Sequence, residues 1–210
     1  MKMRSILLLS LLCALICTGV WASEAHQSQR QLADKLIRLH VLANSDSEED
    51  QALKLQVRDS ILSRAEEILR GAEDLEEAKE DLTEALPELE NLAEAAVRES
   101  GYSYPVEATL TWETYPTRVY DTFTLPAGEY ISLRLVIGAG EGHNWWCVVY
   151  PPLCQSASQE DFTGAAEEAG LTEEEVSLIS GESRGYTVRF KSIELWEKWV
   201  GKWSRGPAQT

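Results

Sequence analysis

The feature that most constrains the fold is a change of hydrophobic period near the middle of the chain. From about residue 47 to residue 100, apolar residues recur at helical spacing. Further along, they alternate at strand spacing in four stretches, 106–112, 119–125, 130–137 and 145–150. A helical block that precedes a separate block of strands is typical of α+β proteins, and we therefore predict that class.

Two helices are expected in the helical block. Ser47 followed by Glu48, Glu49 and Asp50 resembles a capping box at a helix N-terminus, and Gly71 is expected to end this helix. The second helix starts near Glu73 and ends at Gly101, with Pro87 either kinking it or beginning a separate helix. The helical spacing predicts that the first helix buries Leu53, Val57, Ile61, Ala65 and Ile68.

The remaining elements are predicted from alternation and turn residues. A first strand is expected over 36–43, before the helices. The sequence Leu125-Pro126-Ala127-Gly128 is typical of a turn, so we expect a central hairpin over about 119–137. The helical block (about 47–100) would then pack on a mostly antiparallel sheet. Beyond the sheet we expect short helices near 160–169 and 172–179, a strand at 186–190 and a C-terminal amphipathic helix over 193–203.

The first 22 residues have the pattern of a secretory signal peptide. Lys2 and Arg4 precede an uncharged stretch, residues 5–20, and Val20-Trp21-Ala22 is typical of a cleavage site before Ser23. An uncleaved membrane anchor remains an alternative. The expected organisation is a signal peptide over 1–22, a polar tether over 23–35 and a single domain over 36–210. A first helical turn is the alternative to a loose tether over 23–34.

The charge of the chain constrains its partners. The chain has 19 basic and 35 acidic residues, a net charge of −16, which repels phosphate backbones and argues against nucleic acid as a partner. The C-terminal end is locally basic and carries a tryptophan stripe. Packing on the sheet, docking on a partner and contact with a membrane surface all remain open for the stripe, which comprises Trp196, Trp199, Val200 and Trp203.

The cysteines predict a disulfide. Of four cysteines, Cys13 and Cys17 lie in the signal peptide, which leaves Cys147 and Cys154 as a pair in an exported chain. The rival interpretation makes Cys147 the nucleophile of a secreted cysteine hydrolase acting on the cell wall, with His40 or His143 as its base. On a strand, His143 would lie roughly 13 Å from Cys147, too far for a catalytic pair. A zinc site on these residues would lack a fourth ligand.

Two other stretches resemble ligand loops only superficially. A calcium loop over 44–50 would require Gly and Glu where the chain has Glu49 and Leu55, so a helix cap is the better interpretation. The glycine-rich stretch 138–142 is not followed by a helix, which argues against a phosphate loop and predicts a mobile hairpin loop instead. No cofactor and no metal ion is predicted.

Adjacent tryptophans mark the densest chemical segment. Because neighbouring residues of a strand face opposite sides, one of Trp145 and Trp146 is expected in the core and the other at the surface. An exposed tryptophan beside a closed loop is a good anchor for a partner protein.

Two stretches of the chain together resemble the stage II sporulation protein R family of endospore-forming bacteria. One stretch runs from Ile37 to Asp59 and includes Arg-Leu-His-Val-Leu-Ala-Asn-Ser-Asp-Ser. The other runs from Tyr115 to Cys154 and includes Leu-Pro-Ala-Gly-Glu-Tyr and Asn-Trp-Trp-Cys-Val-Val-Tyr-Pro-Pro-Leu-Cys.

The resemblance implies a signalling protein without catalytic residues. Such a protein would be made in the forespore and exported into the space between the forespore and mother-cell membranes. There it would activate a membrane-embedded aspartic protease of the mother cell, which processes the precursor of sigma-E. The contact residues we expect are Asn144, Trp145, Trp146, Pro151, Pro152, Asn44 and Asp46, with Arg118 and Tyr120 as lesser candidates.

Overall fold

The computed structural model describes residues 27, 29–153, 159–168 and 170–180. Several predictions fall outside the described residues, namely the signal peptide, Cys154, the strand near 186–190 and the C-terminal tryptophan helix.

Two long helices form the predicted helical block. Helix α1 spans Glu48–Leu69 and begins at Ser47, whose side chain accepts a hydrogen bond from the Asp50 amide. Helix α2 spans Leu75–Glu99 and is continuous through Pro87, so no separate helix begins there. Four of the five residues expected to be buried in α1 are buried. The fifth, Ile68, is only partly buried, and the neighbouring Leu69 is buried instead.

The main sheet has four strands in the order β2-β5-β1-β6. Strand β1 is parallel to β5, and the other two pairs of neighbours are antiparallel, which confirms a mostly antiparallel sheet and the α+β class. The six strands of the described residues are β1 (Ile37–Leu42), β2 (Val106–Tyr115), β3 (Arg118–Val119), β4 (Thr124–Leu125), β5 (Gly128–Ile137) and β6 (Asn144–Tyr150).

A central hairpin forms, but its first strand was predicted wrongly. Strand β5 pairs with β2 along ten residues, from Val106 opposite Ile137 to Tyr115 opposite Gly128. The stretch expected to pair, 119–125, instead belongs to a small two-stranded sheet in which β3 pairs with β4. The ten-residue pairing of β2 with β5 forms more backbone hydrogen bonds than a pairing of β5 with the stretch 119–125 could. The connecting residues 116–127 lie over one face of the main sheet, and we call this segment the 116–127 excursion.

The two faces of the main sheet are covered by different elements. Helices α1 and α2 pack on one face, around Leu39, Val57 and Leu82. The other face packs against residues 29–36, the 116–127 excursion and helices α3 (Gln159–Glu168) and α4 (Glu173–Ile179). The described helices include none long and apolar enough to cross a membrane.

The expected polar tether is shorter than predicted, because its second half belongs to the folded domain. Residues 29–33 are helical, and the side chains of Leu32 and Leu36 are fully buried. The ammonium group of Lys35 lies 2.7 Å from Glu175 of helix α4. The polar neighbours of Leu32 concealed its apolar face in the sequence, and residues 29–33 adopt the helical alternative to a loose tether.

Candidate partner-binding site

The turn before α1 and the β5–β6 connection form one hydrogen-bonded unit. The amides of Ala139 and Glu141 donate to the side chain and backbone carbonyl oxygens of Asn44, at 2.9 and 3.2 Å. The His143 amide donates to the Asp46 carboxylate, 2.6 Å away. Two of the predicted contact residues, Asn44 and Asp46, are therefore held next to the start of β6.

Glycines in the β5–β6 connection make this close contact possible. Gly138 has a φ of +60°, and a side chain at this position would overlap the Asn44 amide group. A side chain at Gly142 would overlap the carbonyl oxygen of Ser45. The glycine-rich loop is thus packed against the turn, and the expected mobile hairpin loop was the wrong interpretation.

The side chain of Asp50 holds the turn before α1 together through hydrogen bonds. Its buried carboxylate accepts from Ser45 Oγ at 2.6 Å and from Asn44 Nδ2 at 2.8 Å. These bonds hold the pKa of Asp50 below its ordinary value, although burial acts in the opposite direction. The expected capping box forms only in half, because the Ser47 amide donates to Ser45 Oγ rather than to Asp50.

The adjacent tryptophans of β6 lie on opposite faces of the sheet, as predicted. Trp145 packs on the helical face, where the guanidinium of Arg58 lies 4.8 Å from its ring centre. Trp146 packs on the other face, 5.7 Å from the ring of His40 and 6.0 Å from that of Tyr115. Both indoles are half-buried, so the expectation of one core and one exposed tryptophan is wrong, since each face has its own cover.

A groove of about 300 Å³ lies between the 116–127 excursion and β6. Its lining includes Arg118, Tyr120 and Trp146, three of the residues predicted to contact a partner. The exposed Arg118 guanidinium lies over the half-buried Trp146 ring, 5.0 Å from its centre, an arrangement that stabilises both groups. Residues more than 25 positions apart in the sequence are thus brought to one surface, which we call the aromatic groove.

Behind the aromatic groove lies a buried arginine that the sequence analysis missed. The guanidinium of Arg38 is fully buried, 3.8 Å from the ring centre of Tyr115 and 5.0 Å from that of Tyr130. Its Nη2 donates to the Tyr120 hydroxyl over 2.8 Å, whereas its Nε and Nη1 have no hydrogen-bond partner in the part of the chain that the structure describes. The signal was available, since Arg38 is the one charged residue among the apolar residues 36–39.

Beside the aromatic groove, His40 of β1 links a residue of β2 to a residue of β6. The ring nitrogens of His40 lie 3.0 Å from a Glu113 carboxylate oxygen and 2.9 Å from Asn144 Oδ1. Burial raises the pKa of Glu113, but hydrogen bonds from His40 and Ser132 lower it more, so the net direction is downward. The bond to His40 fixes the exposed side chain of Asn144 at the start of β6.

The two prolines after β6 have different environments. Pro151 is buried, which leaves little of its surface for the contact predicted of it. Pro152 is exposed and remains a candidate.

Among the described residues, the structure does not bring Cys147 next to a histidine, as the cysteine hydrolase alternative requires. Cys147 lies opposite Leu39 in the β1–β6 register, and His40 lies opposite Trp146, so the two side chains face opposite sides of the sheet. The His143 side chain is mostly exposed and lies 2.6 Å from Asp46. The part of the chain that the structure describes contains no group of three or more residues able to hold a metal ion.

Comparison with known proteins identifies the family. The family model described as stage II sporulation protein R matches residues 33–160, more than half of the chain. The chain belongs to the stage II sporulation protein R family. As a member of this family it has a role in sporulation. The match includes the turn before α1, the aromatic groove and the buried Arg38.

A named member of the stage II sporulation protein R family supports this assignment. The chain is 33% identical over 133 residues to stage II sporulation protein R of Bacillus subtilis (strain 168). The alignment covers 62% of this chain and 59% of that relative, so the chain spans about three fifths of the relative's length. No solved structure matches the chain.

Proposed function

We propose that this chain is an exported signal of sporulation, which activates the membrane-embedded aspartic protease that processes the precursor of sigma-E. Family membership supports the role in sporulation. The pattern of residues 1–22 supports export from the forespore into the intermembrane space. Cleavage before Ser23 would release a diffusible activator, and retention would tether it to the forespore membrane.

Activation is by binding rather than by chemistry on a substrate. A binding protein shifts an equilibrium only as far as it prefers one state of its partner. A change from about 1% to about 99% active protease requires a preference of roughly 10⁴-fold. The contact surface must therefore be substantial and specific.

The observation that carries the proposal is the convergence of Arg118, Tyr120 and Trp146 on the aromatic groove. Tryptophan, tyrosine and arginine are the residue types that contribute most to protein–protein binding energy. The half-buried rings of Tyr120 and Trp146 are already held by Phe123 and Tyr115, which lowers the entropy cost of binding. A surface of this composition suits docking on a partner protein.

Reconstitution tests the proposal. The chain, the protease and the sigma-E precursor would be produced together in a non-sporulating host, and cleavage of the precursor would be followed by immunoblotting. We expect cleavage that depends on the chain and on its residues 1–22. Equal cleavage in the presence and absence of the chain contradicts the proposed function.

Variants in the same host locate the contact surface. Trp146→Ala should abolish cleavage, because it removes an anchor of the aromatic groove. Trp112→Ala is the matched control, since Trp112 is 58% exposed on β2 and does not line the aromatic groove. Normal cleavage by a folded, exported Trp146→Ala protein would exclude this groove as the contact surface.

A further inference from the structure

The aromatic groove contains hydrogen-bond donors that lack acceptors. Among the described residues, no carboxylate forms an ion pair with the exposed Arg118. The oxygen of Tyr120 accepts from Arg38, which leaves the hydroxyl hydrogen free to donate, and no described residue accepts it. Both residues line the same groove.

The buried charge of Arg38 is a second reason to expect an anionic hydrogen-bond acceptor in the groove. Its charge is fully buried and contacts aromatic faces and the Tyr120 oxygen, and among the described residues two of its nitrogens have no hydrogen-bond partner. A buried cation without a counter-charge is costly, and a nearby anion would offset part of that cost. A guanidinium that donates to a hydroxyl oxygen also makes that hydroxyl a stronger donor.

Tyr120 keeps its hydrogen at neutral pH. Burial raises the pKa of its hydroxyl, and the charge of Arg38 offsets this only in part. The ring is fixed by stacking on Phe123, with the ring centres 4.5 Å apart. The hydroxyl is therefore a positioned donor beside a cation, and a carboxylate is the protein group that fits both.

We propose that the aromatic groove binds an acidic side chain of the partner protein, whose carboxylate accepts from Arg118 and from the Tyr120 hydroxyl. The apolar part of that partner segment packs on Trp146. This inference rests on the proposed function, because it names the chemistry by which the protease would be recognised. Exposed Asp121 also lines the groove, and it orients the occupant by repelling a second carboxylate at that end.

Charge complementarity decides between an acidic peptide and other occupants. The chain as a whole carries a net charge of −16, so its long-range field disfavours an acidic partner, and binding one requires local cations without ion-pair partners. Arg118 and Arg38 supply such cations. The aromatic groove, about 300 Å³ in volume, lies between the 116–127 excursion and β6. A groove of this size fits a single side chain of a peptide better than a flat lipid surface.

Nuclear magnetic resonance titration of the exported protein tests the inference. The probe is the capped peptide acetyl-Leu-Glu-Leu-amide, compared with its Gln isostere. We expect the Glu peptide to shift the Trp146 indole signal and the amides of residues 118–123, with affinity about tenfold above that of the Gln peptide. Equal affinities for the two peptides, or shifts elsewhere only, would overturn the proposal.

Matched variants assign the effect to single donors. Arg118→Gln keeps most of the side chain and Tyr120→Phe keeps the ring, and each should reduce the preference for Glu to about twofold or less. Arg98→Gln, an exposed arginine on α2, should leave the preference unchanged. Vesicles of phosphatidylglycerol serve as the lipid arm, and a larger shift of the same signals by vesicles than by the Glu peptide would also overturn the proposal.

The reconstituted host separates this inference from the proposed function. If the unmodified chain triggers cleavage and both Arg118→Gln and Tyr120→Phe trigger it equally well, the function stands and the acidic contact is wrong. If the Glu peptide is preferred but the unmodified chain triggers no cleavage, the proposed protease is the wrong partner and the acidic-side-chain site stands.

Discussion

The side-chain amide of Asn44 donates to the buried carboxylate of Asp50 across 2.8 Å. On its other side, the same group accepts from the Ala139 amide, so one residue links the start of α1 to the β5–β6 connection. A second carboxylate at position 44 would face Asp50 and lose the donor.

The variant Asn44→Asp is therefore expected to be less stable by about 2 kcal/mol at neutral pH. The loss should be smaller below about pH 4, where protonation of one carboxyl removes the repulsion. Urea unfolding at pH 7 and pH 4 measures both values. The control is Asn91→Asp, at an exposed position of α2, and a loss as large in the control would refute the special role of Asn44.

A second prediction concerns Gly138. Alanine there must adopt a left-handed backbone, which costs about 1–2 kcal/mol, and its methyl group would displace the Asn44 amide. Gly138→Ala should lower the free energy of unfolding by about 2 kcal/mol or more. Gly71→Ala is the control, because no atom lies within 4 Å of the added methyl and its backbone is not left-handed. Similar stabilities for the two variants would show that the close packing against Asn44 is unimportant.

The pH dependence of stability should report on Asp50. Hydrogen bonds from Ser45 and Asn44 hold the pKa of Asp50 lower in the folded than in the unfolded protein. Its stabilising contribution is therefore fully present above about pH 4 and is lost as the pH falls through the folded pKa. Asp50→Asn should be less stable than the unmodified protein at pH 7, with the difference shrinking toward pH 2.5 in urea unfolding series. A difference that stays constant over this range would contradict the assignment.

The predicted disulfide between Cys147 and Cys154 has a direct chemical test. These are the only cysteines of the chain after residue 22, and Cys147 is buried on β6. Unfolded, exported protein should take up no iodoacetamide without a reductant and two equivalents after reduction, as read by mass spectrometry. Cys147→Ser and Cys154→Ser should reduce precursor cleavage equally, whereas a cysteine hydrolase would lose activity only in the first. Labelling before reduction would exclude the disulfide.

Periodicity predicted the elements well because it depends on local burial. The ends of α1 and α2 and the face that α1 buries follow from residues three or four apart, and the structure confirms them within one or two positions. Strand pairing depends on residues distant in the sequence. Nothing local indicated that β5 would take β2 as its partner, which left 119–125 to form a separate small sheet.

The candidate site was predictable in part for the same reason. The tryptophan pair and Arg118 stood out as residue types that bind partners, but their convergence on one groove depends on the 116–127 excursion. Arg38 was overlooked because it was treated as one position of an alternating strand. A charged residue within an apolar run requires a partner inside the fold, and here the partners come from Tyr115, Tyr120 and Tyr130.

The order of strands in the main sheet has a consequence for how the protein acquires its structure. Strand β1 is central, yet both of its neighbours, β5 and β6, lie roughly 90 residues or more further along the chain. Such distant pairing makes folding slow and postpones it until the later strands are present. A chain that is threaded through a translocation pore N-terminus first would thus remain unfolded until most of its length had emerged. For the export proposed above, this order of strands would delay formation of the main sheet until the chain had passed through the pore.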